Sequence, residues 1–224
     1  MKNRILVAID GPAGAGKSTL ARRVAARLGF VYIDTGAMYR AVALGARRRG
    51  VDWADRAALE QLARAADITL TPDHRVLLDG EDVSAAIREP EISQGASVVS
   101  AVSGVRRELV LKQQRLGHSA SAVMEGRDIG TVVFPDAEAK IFLDASPEVR
   151  AHRRVKDLAA RGVAADFDAV FREMQERDHR DRTRPDSPLR QAPDAVYLDS
   201  SGLSEAEVEQ AILRIVGDRT PAAT

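Results

Sequence analysis

Eight consecutive residues, Gly11-Pro12-Ala13-Gly14-Ala15-Gly16-Lys17-Ser18, constrain this chain more tightly than any other stretch. They fit the pattern G-x-x-x-x-G-K-[ST], which carries meaning only between a strand and a helix. Both neighbours have that character. Ile5-Leu6-Val7-Ala8-Ile9 is a short, branched apolar run that reads as a buried parallel strand. Over residues 19–28 apolar positions recur at helical spacing. Glycines open backbone conformations closed to other residues and let successive N–H groups turn inward. The helix start brings unpaired N–H groups and the positive end of its dipole to the same point. Lys17 adds a full charge for the β- and γ-phosphates, and the Ser18 hydroxyl suits Mg2+. A chance fit of all eight residues in this setting is the weaker explanation. The loop, with Thr19 after it, reads as a nucleoside-triphosphate site.

At 224 residues the chain suits one α/β domain with insertions, and 45% hydrophobic content can fill its core. Net charge is zero, which implies no general attraction to nucleic acid or a membrane surface. Of 33 cationic residues only Lys2, Lys17, Lys112, Lys140 and Lys156 are lysine. Arginine offers rigid bidentate forks for phosphate, yet a biased genomic composition gives the same excess. There is no cysteine, which excludes disulfides and thiolate metal sites. Asp10 ends the first apolar run too early for a signal peptide, and no segment reaches membrane-spanning length. A cytoplasmic monomer with no membrane or nucleic-acid partner is expected.

Gly29 suits a helix C-cap, and residues 30–33 read as a second strand. A helix follows Asp34-Thr35-Gly36 and ends in Arg47-Arg48-Arg49-Gly50, three cations that complement its dipole. Residues 55–66 read as another helix, and 68–71 with 75–78 as a small hairpin. Residues 89–116 are mostly helical with a break near Ser103-Gly104, and 122–124 form a strand running into Glu125. The strand 139–143 ends at Asp144; Ser146 and Pro147 then open a helix as N-cap and first position. Beyond lie a charge-rich segment, a proline-marked loop, a last strand at 195–199 and an amphipathic helix at 204–216. The four histidines are scattered singly and read as structural.

Three stretches together resemble the bacterial cytidylate (CMP/dCMP) kinases, members of the nucleoside monophosphate kinase superfamily. They are Ile9-Asp10-Gly11-Pro12, Ile33-Asp34-Thr35-Gly36-Ala37-Met38-Tyr39-Arg40, and the run from Gly126-Arg127-Asp128-Ile129-Gly130 to Pro135-Asp136. Glu176-Arg177-Asp178 through Arg184 is similar as well. The resemblance implies an α/β fold, a doubly wound five-stranded parallel sheet with an acceptor-binding insertion and a helical lid. The corresponding division is core 1–34, insertion 35–105, core 106–149, lid 150–186, core 187–217 and a disordered tail 218–224. The implied reaction moves the γ-phosphoryl group of ATP, with Mg2+, to CMP or dCMP in pyrimidine nucleotide metabolism.

Residue by residue, the resemblance makes Arg40, Arg127 and Arg184 ligands of the acceptor phosphate, with Thr35 and Tyr39 beside them. Ser97, Arg106 and Asp128 match positions that read cytosine, and Arg177 and Asp181 those that contact the ribose. Arg153 and Arg154 would approach the donor phosphates. The chemistry agrees, since cytosine offers an amino donor with N3 and O2 as acceptors. A carboxylate, a hydroxyl and a guanidinium complement that edge. Asp128 has a plainer alternative, in which it only pairs with Arg127 or a nearby backbone group. Glu125 and Asp144 each end a strand, and either acid suits a place near Mg2+ or a cap on the next element.

Three other functions use the same loop. A kinase of another acceptor, such as UMP or dTMP, needs only a different base reader. A GTP-binding switch needs Asn-Lys-x-Asp, which is ruled out because Asn3 is the only asparagine. A non-catalytic nucleotide-dependent binding protein would show partner binding without phosphoryl transfer.

Overall fold

The computed structural model describes residues 4–220. The chain opens with β1 (Leu6–Asp10), α1 (Lys17–Leu28), β2 (Val31–Asp34) and α2 (Thr35–Arg48). Next come α3 (Arg56–Ala65), β3 (Ile68–Leu70), β4 (Val76–Leu78), β5 (Glu81–Asp82), α4 (Pro90–Val99) and α5 (Ser103–Ser119). The second half holds β6 (Ala122–Gly126), β7 (Ala139–Asp144), α6 (Pro147–Ala159), α7 (Phe167–Thr183), β8 (Val196–Asp199) and α8 (Glu205–Arg219).

Five strands make one parallel sheet in the order β2-β6-β1-β7-β8. All five residues of β1 are buried, as a strand covered on both faces requires. Its side chains divide by parity. Val7 and Ile9 pack with α1 and α8 through Leu20, Val24, Val208 and Ile212. Leu6 and Ala8 face the other way, onto Met124, Ile129, Val133 and Phe134. At the margins, β2 and β8 are only partly buried, which fits edge strands.

A second core joins α2 to α3, α4, α5 and the small sheet, with Leu44, Leu59, Ile92 and Leu109 fully buried. The hairpin expected at 68–78 gains a third strand, β5, whose two residues are both acidic and carry no apolar alternation. The helical break falls at residues 100–102, so Gly104 lies inside α5. That helix also runs across the expected boundary at 105/106 between insertion and core. A further helical turn, Ile129–Val133, follows β6; its five-residue span is too short to show periodicity.

The expected tail from 218 starts too early, because α8 continues to Arg219. Val216 is sealed in the core under that last turn, and its carbonyl accepts the Thr220 N–H at 2.9 Å. Residues 221–224 lie outside the described ones. At the other end of α8, Ser204 and Glu207 form a reciprocal capping box. The Arg47–Arg49 run acts structurally, pairing with Glu89 and Glu91, Glu81, and Asp79 in the insertion. Among the described residues no helix is long and apolar enough to cross a membrane.

Candidate active site

The carboxyl ends of β1, β2, β6 and β7 carry Asp10, Asp34, Gly126 and Asp144, and the loops leaving them lie along one edge of the sheet. In open parallel sheets this edge is where ligands bind. The phosphate loop leaves β1 here. At Gly11 a Cβ would stand 1.9 Å from the Leu143 carbonyl oxygen, so only glycine lets the loop pass β7. Gly16 takes a left-handed conformation (φ +92°) as the N-cap of α1, turning the chain into the helix.

Lys17 is buried at the bottom of the loop, and its Nζ donates to the Pro12 carbonyl at 2.6 Å. Burial, then the charge of Arg127, pushes its pKa down, while Glu125 pulls it up. Ser18 and Thr19 are exposed at the helix start. Glu125 is buried and accepts from the Tyr32 hydroxyl at 2.6 Å. Its pKa is raised, by burial first and then by Asp34, against the pull of Lys17 and of hydrogen bonds from Ser18 and Tyr32. Asp144, the other candidate acid, accepts the Ala145 N–H at 2.8 Å and lies 3.7 Å from Arg150. Hard oxygens in small number suit Mg2+, which keeps several waters. Ser18 and Glu125 fit that description better than Asp144 does.

Next to Lys17 the structure gathers arginines. Arg127 donates to Asp181 at 2.9 Å, and Arg184 stands 3.6 Å from the same carboxylate. Arg177 is half-buried, and its pKa is pushed down to about 10, by desolvation first and then by Arg127, Arg40 and Arg154. Burial opposes ionisation of Asp181, yet Arg127, Arg177 and Arg184 hold its pKa below the usual carboxylate range. Arg40 pairs with Asp34 at 2.8 Å. Among the described residues, buried guanidinium nitrogens without a partner remain on Arg40, Arg106, Arg177 and Arg184. Such donors are costly to leave unpaired, so they call for an anionic guest.

The residues expected to read the base come together as well. Asp128 is 4% exposed and pairs through Oδ2 with Nη2 of Arg106, which is 3% exposed. Arg106 also donates to the Ser100 carbonyl and stands 5.4 Å from the centre of the Tyr39 ring. The plain alternative for Asp128, a pair with Arg127, is not what forms. Ser97 Oγ accepts from Arg180 Nε at 3.2 Å, which leaves its own proton free for a base acceptor.

Three expected ligands are placed differently. The Thr35 hydroxyl donates to the Glu125 carbonyl at 2.6 Å, so its proton is already used within the chain. Arg153 donates to Ser200 Oγ at 3.0 Å and to the Ser200 carbonyl at 2.8 Å, stitching α6 to the loop after β8. It lies near the phosphate loop, 3.4 Å from the Ala15 carbonyl. Arg154 lies near Arg40 and Arg177 on the acceptor side.

Sequence reasoning missed Arg150, Asp10 and Tyr32. Arg150 donates to the Ala13 carbonyl of the phosphate loop and pairs with Asp178 of α7. Asp10 had one signal, an acid immediately before the first loop glycine.

A parallel sheet with a phosphate loop on its central strand and a cluster of arginines beside it defines a nucleotide-dependent phosphotransferase. The family model described as cytidylate kinase matches residues 7–218, and the chain belongs to that family. It is 59% identical over 220 residues to a cytidylate kinase of Solibacter usitatus, covering 97% of this chain and 94% of that one. A cytidylate kinase of Pelotomaculum thermopropionicum is 52% identical over 218 residues, covering 95% and 96%. Among solved structures, a sugar kinase from Janibacter aligns with a TM-score of 0.50 at 17% identity, covering 98% of each chain. That last likeness concerns the fold alone.

Proposed function

We propose that this chain transfers the γ-phosphoryl group of ATP to CMP or dCMP, giving ADP and CDP or dCDP. The observation that carries this reading is the set of buried, unpartnered guanidinium N–H groups on Arg40, Arg177 and Arg184. They belong to a cluster that shares Arg127 and Arg177 with the environment of Lys17. Family membership supports cytosine as the base. The paired Arg106 and Asp128 with Ser97 support a reader of its amino group, N3 and O2.

The acceptor phosphate is itself the nucleophile. Its second pKa is about 6, so it is largely ionised near neutrality and needs no strong general base. Catalysis then rests on alignment and on charge set against a loose transition state. Arg40, Arg127 and Arg184 hold the acceptor phosphate, and Arg177 and Asp181 lie beside them on α7 for the ribose. Lys17 and the loop N–H groups hold the donor. Ser18 and Glu125 would hold Mg2+, which when bound offsets the charge of the donor phosphates.

A coupled ADP-release assay across CMP, dCMP, UMP, dTMP and AMP tests the reading. CMP and dCMP are expected to lead; a preference for UMP or dTMP overturns it. Asp128→Ala tests the base reader. One Asp128 oxygen is taken by Arg106, leaving the other for the cytosine amino group, where uracil presents a carbonyl oxygen. A hydrogen bond to a charged group contributes about 1.5–3 kcal/mol. The CMP:UMP ratio of kcat/KM should therefore narrow at least ~10-fold. Equal losses on both substrates would make Asp128 a support for Arg106 only.

Residues 150–186 are expected to act as a lid. Arg161 is exposed in the turn between α6 and α7 and offers a cleavage point for trypsin. Cutting there should slow when both nucleotides are bound, because phosphates give the arginines of α7 their missing partners. The same cutting rate with and without nucleotides would remove the lid from the proposal.

A further inference from the structure

Asp10 ends the central strand directly before the phosphate loop, yet its side chain bonds a different loop. Oδ1 accepts the Ile129 N–H at 2.8 Å and Oδ2 accepts the Gly130 N–H at 2.7 Å. These are the first N–H groups of the turn Ile129–Val133, donors that lack a partner within such a turn. The carboxylate reaches them from β1 because Asp10 is in register with Gly126, where β6 ends and the loop begins.

Arg127 and Asp128 occupy the two positions between that register point and the pinned turn. Each side chain is drawn toward a different element. Arg127 pairs with Asp181 on α7, and Asp128 with Arg106 on α5. A loop pulled from two sides keeps its register only if its main chain is fixed. The far end of the loop is fixed too, since Lys140 donates to the Pro135 carbonyl and pairs with Asp194 at 2.7 Å. Gly130 packs between both anchors: a Cβ there would meet Asp10 Oδ2 at an ordinary 3.4 Å and press on Lys140 Cδ at 3.2 Å.

A buried acid needs compensation. Asp10 is 5% exposed, and burial pushes its pKa up to about 6 against the opposing pull of the two amides. Ending a strand does not require such an arrangement. Holding two adjacent amides with one rigid group does.

We propose that Asp10 is a positioning residue for acceptor selection: by clamping the main chain at Ile129 and Gly130, it sets where Arg127 and Asp128 point. The proposal rests on the reading of those two residues as acceptor ligands. It also ties the donor loop, which starts at Gly11, to the acceptor reader through one side chain.

Asp10→Asn keeps the shape but offers a single acceptor oxygen, and its amide N–H₂ faces a backbone N–H. The expected result is an increase of roughly tenfold in KM for CMP, from loss of one charge-assisted bond. KM for ATP should move less than about twofold, and the CMP:UMP ratio of kcat/KM should narrow. In the double variant Asp10→Asn/Asp128→Ala the ratio should narrow no further than in Asp128→Ala alone, because both act through one contact. Gly130→Ala keeps the N–H but presses a methyl group on Lys140, the anchor at the far end of the loop, and should give a smaller shift of the same pattern. It serves if Asp10→Asn does not fold. Equal rises in KM for ATP and CMP, or an unchanged CMP:UMP ratio, would make Asp10 merely structural and overturn the proposal. If Asp128→Ala alone leaves the ratio at its wild-type value, the acceptor reading itself has failed and the proposal falls with it.

Discussion

Lys17→Ala is expected to lower kcat with ATP and CMP by roughly 10²–10³-fold, the usual loss when one preorganised charge is taken from a transition state. The fold should survive. Lys17 is 6% exposed, and its one hydrogen bond goes to the Pro12 carbonyl. Losing that donor costs about 1–3 kcal/mol. The variant also relieves repulsion between Lys17 and the neighbouring guanidiniums of Arg127 and Arg177. These effects oppose one another, and the turn itself is set by Gly11 and Gly16, which the substitution leaves alone. Steady-state kcat and a thermal melt on the same preparation separate chemistry from folding. Retention of more than half the wild-type kcat would sink the phosphate-loop assignment. A collapse of the melt together with activity would instead make Lys17 a structural cation.

The sheet was legible because its strands are continuous apolar runs. The helix start at Ser146 was legible because a short polar side chain there accepts from a helix N–H group; Asp34, Asp55 and Ser204 cap the helices after them in the same way. The phosphate loop is local in sequence, so its pattern sufficed. The residues expected to bind the acceptor were a harder case. Arg106 and Arg127 look like any surface arginine until α5 and β6 are docked, and only the family resemblance singled them out. What stayed hidden depends on distance along the chain. Arg150 meets Asp178 across 28 positions, and Tyr32 meets Glu125 across 93, with no local pattern to announce either pair. Thr35 shows the opposite failure. A hydroxyl in the right stretch was expected to serve a phosphate, yet it bonds the neighbouring strand. A sequence motif gives the position of a side chain and leaves the direction of its proton open.

Arg150→Met is expected to destabilise the protein by about 3–5 kcal/mol, the cost of breaking a buried ion pair from one side. Arg150 is 2% exposed, and its Nη1 lies 2.7 Å from Asp178 Oδ2. Its Nε donates to the Ala145 carbonyl at 2.9 Å, and Nη1 also donates to the Ala13 carbonyl at 3.1 Å. One guanidinium thus joins the phosphate loop, the start of α6 and the middle of α7. Methionine keeps most of the volume but leaves the Asp178 carboxylate buried without its counter-charge. For a chain of this size the loss corresponds to a fall in Tm of roughly 6–20 °C. Arg150→Met/Asp178→Leu removes both charges and should recover much of that stability, since an apolar pair can replace a buried ionic one. Activity should not follow. The double variant still lacks the donor to Ala13, so the phosphate loop loses its tether to α7 and KM for ATP should stay elevated. Denaturant titration of the three proteins, followed by KM for each nucleotide, resolves the two effects. A loss below about 1 kcal/mol in the single variant would place the pair with ordinary surface bridges. Recovery of wild-type KM for ATP in the double variant would mean that the contact with Ala13 plays no part in holding the loop.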